Sequence, residues 1–138
     1  MPFERSYEAE RRLLVMRAVG MGNLRDTLEG LRVLSGGAAL EARASLLLDL
    51  RGLAFLPSSL EAYAVAAELA AVMREGGRRV AILTCPGAQY GCGRMVGTLA
   101  EMRGIAVFVT VEEAEALNWL GRQREPDVPE AARPRASC

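Results

Sequence analysis

The chain contains no histidine and no lysine: all 17 of its basic residues are arginine. Without histidine there can be no His-based hydrolytic triad and no His-containing zinc site. Without lysine there is no phosphate-loop lysine and no Schiff-base chemistry. General acid–base work would fall to Asp, Glu, Tyr or Cys, so the composition weighs against an enzyme. No apolar run approaches the ~20 residues that a membrane span requires. The start, Met1-Pro-Phe-Glu-Arg, lacks the apolar core and cleavage site of a signal peptide. Three cysteines, Cys85, Cys92 and Cys138, are odd in number and lack metal-ligand spacing. They read as reduced thiols in a cytoplasmic compartment, with no metal or cofactor implied. The 17 acidic residues balance the 17 basic ones, which gives no overall pull toward nucleic acid or acidic membranes.

What is present suits one globular domain. Hydrophobic residues make up 51% of the 138 and charged ones 25%. A chain of this length buries about two-thirds of its unfolded surface and folds without staples. Residues 3–8 alternate loosely and 13–19 form an apolar run, joined by a short polar link that predicts an antiparallel hairpin. Asn23 is placed to cap a helix carrying Leu24, Leu28 and Leu31 on one stripe, ending near Gly36-Gly37, with residues 38–43 as a further candidate turn. Three strand-then-helix units follow: strands 45–50, 79–84 and 105–110, with helices over 59–75, about 88–103, and from 111 to the stop at Gly121. The strands are apolar on both faces, which predicts that all three are parallel and central. Thr110-x-x-Glu113 has capping-box spacing. From Arg122 to Cys138 the chain holds three prolines and seven charges, too little apolar area to offset ordering, so residues 122–138 are expected to form a disordered tail behind a domain of residues 1–121.

Chemistry concentrates after the first two of these strands. Strand 45–50 ends near Asp49, and Ser58 or Ser59 opens a helix, where unpaired N–H groups favour anions. The same residues also make an ordinary capping box, Ser58-x-x-Glu61. Pro86-Gly-Ala-Gln-Tyr-Gly-Cys-Gly is neither a Walker loop nor a dinucleotide turn. It reads as a helix start whose small residues permit close packing on the sheet. Ligands of parallel α/β sheets bind beyond the carboxyl ends of the strands, which makes Asp49, Ser58, Ser59, Tyr90 and Arg94 the candidate docking or ligand surface. Cys92 and Trp119 read as core packing.

These elements resemble the STAS superfamily, the fold of bacterial anti-sigma-factor antagonists. The matching residues are Asp49-Leu50 at a strand end, Phe55-Leu56 in a hydrophobic turn, and Ser58-Ser59 at a helix start. The second half is similar to stand-alone SpoIIAA-like proteins in Tyr90-Gly-Cys-Gly-Arg-Met95 and in Glu112-Glu113-Ala-Glu-Ala-Leu-Asn-Trp-Leu120. The resemblance spans roughly residues 3–121. It implies a SpoIIAA/STAS-like mixed sheet, an N-terminal hairpin and then parallel strands, covered by about four helices. It also implies a regulatory domain with a protein partner, or a carrier of a small amphipathic or anionic, lipid-like ligand at the same edge. In antagonists the residue at the position of Ser59 is phosphorylated. Here Pro57 and Leu60 replace the acidic residue and the glycine around it, so a phospho-switch at Ser59 is not expected. Oligomerisation is left open by the sequence.

Overall fold

A computed structural model describes residues 3–18, 22–34, 44–73 and 79–121. The expectations for residues 38–43, for the last residues of the helix over 59–75, and for the tail 122–138 lie outside these. The elements run β1 (Phe3–Glu8), β2 (Leu13–Ala18), α1 (Leu24–Leu34), β3 (Ser45–Asp49), α2 (Ser59–Val72), β4 (Arg79–Leu83), α3 (Ala88–Glu101), β5 (Ala106–Thr110) and α4 (Glu113–Gly121). The predicted hairpin forms: β1 pairs antiparallel with β2, with Ser6 opposite Val15. The remaining pairs, β2–β3, β3–β4 and β4–β5, are parallel.

Strand order along the five-stranded sheet follows chain order. Each crossover therefore steps the same way, and right-handed connections that step one way leave their helices on one face. That face carries α1, α2 and α3. Its core joins Met16, Leu46, Leu48, Val80 and Ile82 of the sheet to Leu31, Leu69 and Val96 of the helices. The other face carries α4, whose Ala116 and Leu120 meet Leu47, Ala81 and Leu83. Period-two alternation divides each strand between these two cores. The apolar runs seen in the sequence are thus a consequence of burial on both sides.

One expectation fails. β5 is parallel but forms an edge, and β2 takes the central place expected of it. Val107, Phe108 and Val109 are accordingly only half-buried. An apolar run records cover on the two faces and says nothing about how many strands lie beside it.

Helix ends follow local chemistry. Asn23 caps α1 through Oδ1, which accepts the Asp26 N–H at 2.8 Å. Ser58 and Glu61 form the expected capping box on α2. The box expected from Thr110 and Glu113 does not form, because Thr110 is the last residue of β5. Its hydroxyl instead accepts the Glu112 N–H at 3.1 Å and donates to Glu115 at 2.6 Å. α3 lies close on the sheet through Gly93 and Gly97, as its small residues suggested. A Cβ at Gly97 would come within 2.9 Å of Val109.

Candidate interaction site at the strand ends

The loops after β3 and β4 emerge together at one edge of the sheet, and three arrangements there involve the residues singled out by sequence. The first is a charge network built around one buried carboxylate. Asp49, 2% exposed, ends β3 on the α4 face. Its carboxylate accepts from Arg51 Nε at 3.0 Å, Arg51 Nη2 at 2.9 Å and the Arg51 backbone at 3.1 Å. Arg17 Nε, from β2, reaches the same carboxylate at 3.1 Å. Arg51 Nη2 continues to Glu113 Oε1 at 3.0 Å, tying the start of α4 to the turn after β3. Burial pushes the Asp49 pKa up, but the hydrogen bonds from Arg51 and Arg17 outweigh it and hold the group below its usual range. Asp49 in turn raises the pKa of Arg51. Two carboxylates and two guanidinium groups cancel, so the buried Asp49 carboxylate is already paired and acts as a structural anchor. Arg51 is not distinguished in the sequence from other surface charges, and Glu113 reads there as a capping-box residue rather than as a partner of Arg51.

The second arrangement holds the crossing segment down. Gln89, in the first turn of α3, accepts the Cys85 N–H at 2.7 Å and donates to the carbonyls of Leu50 at 2.8 Å and Leu53 at 3.0 Å. One amide thus satisfies three backbone groups of two different loops. Beneath this clamp lies an apolar cavity of about 40 Å³. Phe55, Leu56, Pro57, Cys92 and Val96 contribute to its wall. Cys92 is half-buried rather than fully buried, with Sγ 3.8 Å from the Pro57 carbonyl.

The third is the start of α2. The Ser58 hydroxyl accepts the Glu61 N–H at 3.3 Å, while Glu61 Oε1 accepts the Ser58 N–H at 2.9 Å. Ser59 is exposed and makes no side-chain hydrogen bond among the described residues. Around this cap the surface is apolar: Leu60 is 84% exposed, Tyr63 53% and Leu56 48%. Leu60 was noted in the sequence only as a departure from the antagonist pattern. Arg103, just beyond α3, donates from Nη2 to the Tyr63 hydroxyl at 2.9 Å and lies 5.1 Å from the centre of its ring.

Tyr90 and Arg94 lie elsewhere on α3. Arg94 Nη1 donates to the Tyr90 hydroxyl at 3.3 Å. Tyr90 lines an open groove with Pro86, Phe108 and Val111, on the β5 side of the helix. Cys92, on the α2 side, faces the turn that carries Ser58. The five candidates therefore divide into an internal anchor (Asp49), a capped and exposed helix start (Ser58, Ser59), and a pair flanking β5 (Tyr90, Arg94). Because strand order never reverses, the sheet has no switch-point crevice to gather them. Trp119 packs as expected, stacked on Phe108 with ring centres 5.5 Å apart. The Arg79 guanidinium lies 3.9 Å from the centre of its ring. No group of three potential metal ligands occurs among the described residues. None of the helices described is long and apolar enough to cross a membrane.

No family model matches the chain, and no curated protein does. Among solved structures it is similar to an uncharacterised protein of the DUF3478 family, with a SpoIIAA-like fold, from Shewanella loihica PV-4. The two are 19% identical with a TM-score of 0.52, over 86% of this chain and 91% of that one. A likeness at that identity speaks for the fold. The domain is SpoIIAA-like, a mixed five-stranded sheet with an N-terminal hairpin, parallel strands and four described helices.

Proposed function

We propose that this chain is a non-enzymatic, STAS-type interaction domain that docks another protein at the start of α2. The observation that carries this reading is the exposure of Leu60, 84%, beside the exposed Leu56 and Tyr63. α2 is apolar nearly all round. Its only charges, Glu61 and Glu68, are engaged by the Ser58 cap and by Arg32 at 3.1 Å. A helix of that composition normally has every side covered, yet here the side bearing Leu60, Tyr63 and Ala71 faces solvent. Apolar surface rimmed by polar groups is the usual mark of a protein contact. The partner best suited to it presents a neutral, apolar face.

Ser58 serves this surface by fixing where the helix begins, and Ser59 lies exposed beside it. Pro57 and Leu60 remove the acidic residue and the glycine that accompany phosphorylation in the antagonists, so recognition here rests on shape and apolar area. The carrier reading is weaker by enclosure. The cavity under the crossing segment, about 40 Å³, holds only a few water-sized groups, and the groove beside Tyr90, about 540 Å³, is roomier but lies open to solvent. Native mass spectrometry of the protein isolated from its own host, as wild type and as Leu60→Asp, separates the two. A protein partner retained by the wild type and released by the variant supports docking. A small molecule retained by both, with no protein, supports the carrier.

A further inference from the structure

The two edges of the sheet are finished differently. β1 carries Glu4, Arg5 and Glu8, charges of the kind that keep an edge from pairing with other chains. β5 reads Ala-Val-Phe-Val-Thr, with no charge, no proline and no bulge, and among the described residues it pairs on one side only. The Thr110 carbonyl points toward β4, where it accepts the Thr84 N–H at 3.0 Å. Alternation along the strand then leaves the N–H and C=O of Val107 and Val109 on the open side.

We propose that this open edge is an interface for a second copy of this chain, with β5 pairing antiparallel to β5 about a two-fold axis at Phe108. In that register Val107 of each copy exchanges backbone hydrogen bonds with Val109 of the other. Phe108 meets Phe108 as a non-hydrogen-bonded pair, the position in which cross-strand side chains come closest. A two-fold contact also requires the flanking surface to complement itself, and α3 supplies this. Arg94 and Glu101 are seven residues apart and so share one face of the helix. That face continues from Tyr90, which lines the groove beside β5. Both side chains are exposed. The Glu101 carboxylate has no partner among the described residues, and Arg94 engages the neutral Tyr90.

The centre of this charge pattern coincides with the centre of the strand. Gly97 lies nearly midway between Arg94 and Glu101. A Cβ on it would touch Val107 at 3.2 Å and Val109 at 2.9 Å, which places it level with Phe108. Rotation about an axis at Phe108 therefore carries Arg94 of each copy toward Glu101 of the other. Two independent features, an unguarded strand edge and an antisymmetric charge pair centred on it, select the same operation. This surface lies on the far flank of α3 from the Leu60 surface, so the two can be occupied together and tested apart.

Charge swapping in the full chain decides the matter by sedimentation velocity over a concentration series, with circular dichroism as the check on folding. Wild type is expected to dimerise reversibly. R94E and E101R are each expected to weaken the dimer at least tenfold, because each puts two pairs of like charges across the axis. An equimolar mixture of R94E and E101R is expected to regain the wild-type dimer, since both contacts in the mixed species are again of opposite sign. The double variant R94E/E101R should regain it as well. Three results overturn the proposal: a wild type that is monomeric throughout, single variants that associate as wild type does, or a mixture that stays monomeric.

Discussion

Asp49 and Leu60 stand at the two ends of one short crossing over the sheet edge, and each is placed against its own chemistry. Asp49 is charged yet lies inside, with its carboxylate filled by hydrogen bonds from Arg51 and Arg17. Leu60 is apolar yet lies outside, on a helix start that the Ser58 capping box completes without it. A buried charge persists only when its partners are in place, so the Asp49 end is expected to be rigid and intolerant. An exposed leucine contributes almost nothing to the fold, so the Leu60 end is expected to be tolerant in stability and sensitive in recognition. On the proposed reading, charge marks the anchor of this segment and apolarity marks its docking surface.

The largest effect expected from breaking this contrast is at the anchor. Asp49→Ala leaves Arg51 and Arg17 facing an empty site and should cost about 3 kcal/mol, the low end for a broken buried pair because Arg51 keeps Glu113. Urea unfolding of the variant measures it, and a loss below about 1 kcal/mol would show that Asp49 behaves as a surface residue. The same anchor sets an acid dependence. The Asp49 pKa is lower in the fold than its ordinary value of 3.8. Its contribution is therefore present above that value and is lost as pH falls from there through the lower folded pKa. In Asp49→Asn the fall in stability below about pH 4 should be shallower than in wild type.

Next in size is the clamp. Gln89→Ala leaves the Cys85 N–H and the Leu50 and Leu53 carbonyls without their amide partner and should cost about 2 kcal/mol. Amide hydrogen exchange should quicken in residues 50–57 ahead of the rest of the domain. Uniform quickening would mean that the crossing segment is held by something other than Gln89.

At the working end the effects on stability shrink. Ser58→Ala should cost about 1 kcal/mol by loss of the cap. Ser59→Ala should cost clearly less, since the Ser59 hydroxyl makes no hydrogen bond among the described residues. Equal losses in the two variants would move the cap from Ser58 to the pair.

Much of the fold was legible in the sequence, for identifiable reasons. Leu46–Leu48 and Val80–Ile82 announce buried strands because parallel strands covered on both faces have no polar side. Asn23 and Ser58 announce helix starts because their side chains can satisfy unpaired N–H groups. Position within the sheet was not legible: Val107–Val109 is as apolar as Val80–Ile82, although one lies at the edge and the other inside. The role of Asp49 was also hidden, because a carboxylate at a strand end looks the same whether it awaits a ligand or already holds two arginines. Gln89 escaped notice because glutamine carries no positional signal, and its three bonds exist only once both loops are in place. The exposure of Leu60 needed the packing direction of α2, which a helix apolar on nearly every side does not declare.

The most direct test of the account sits at Leu60. Leu60→Asp replaces the most exposed large apolar side chain among the described residues with a carboxylate in the first turn of α2, where the helix dipole favours it. Its unfolding free energy should match wild type to within about 0.5 kcal/mol. Native mass spectrometry of material from the same host should then show the protein partner on wild type and its loss from Leu60→Asp. A partner retained equally by both proteins would contradict the central claim and move the recognition surface away from the start of α2.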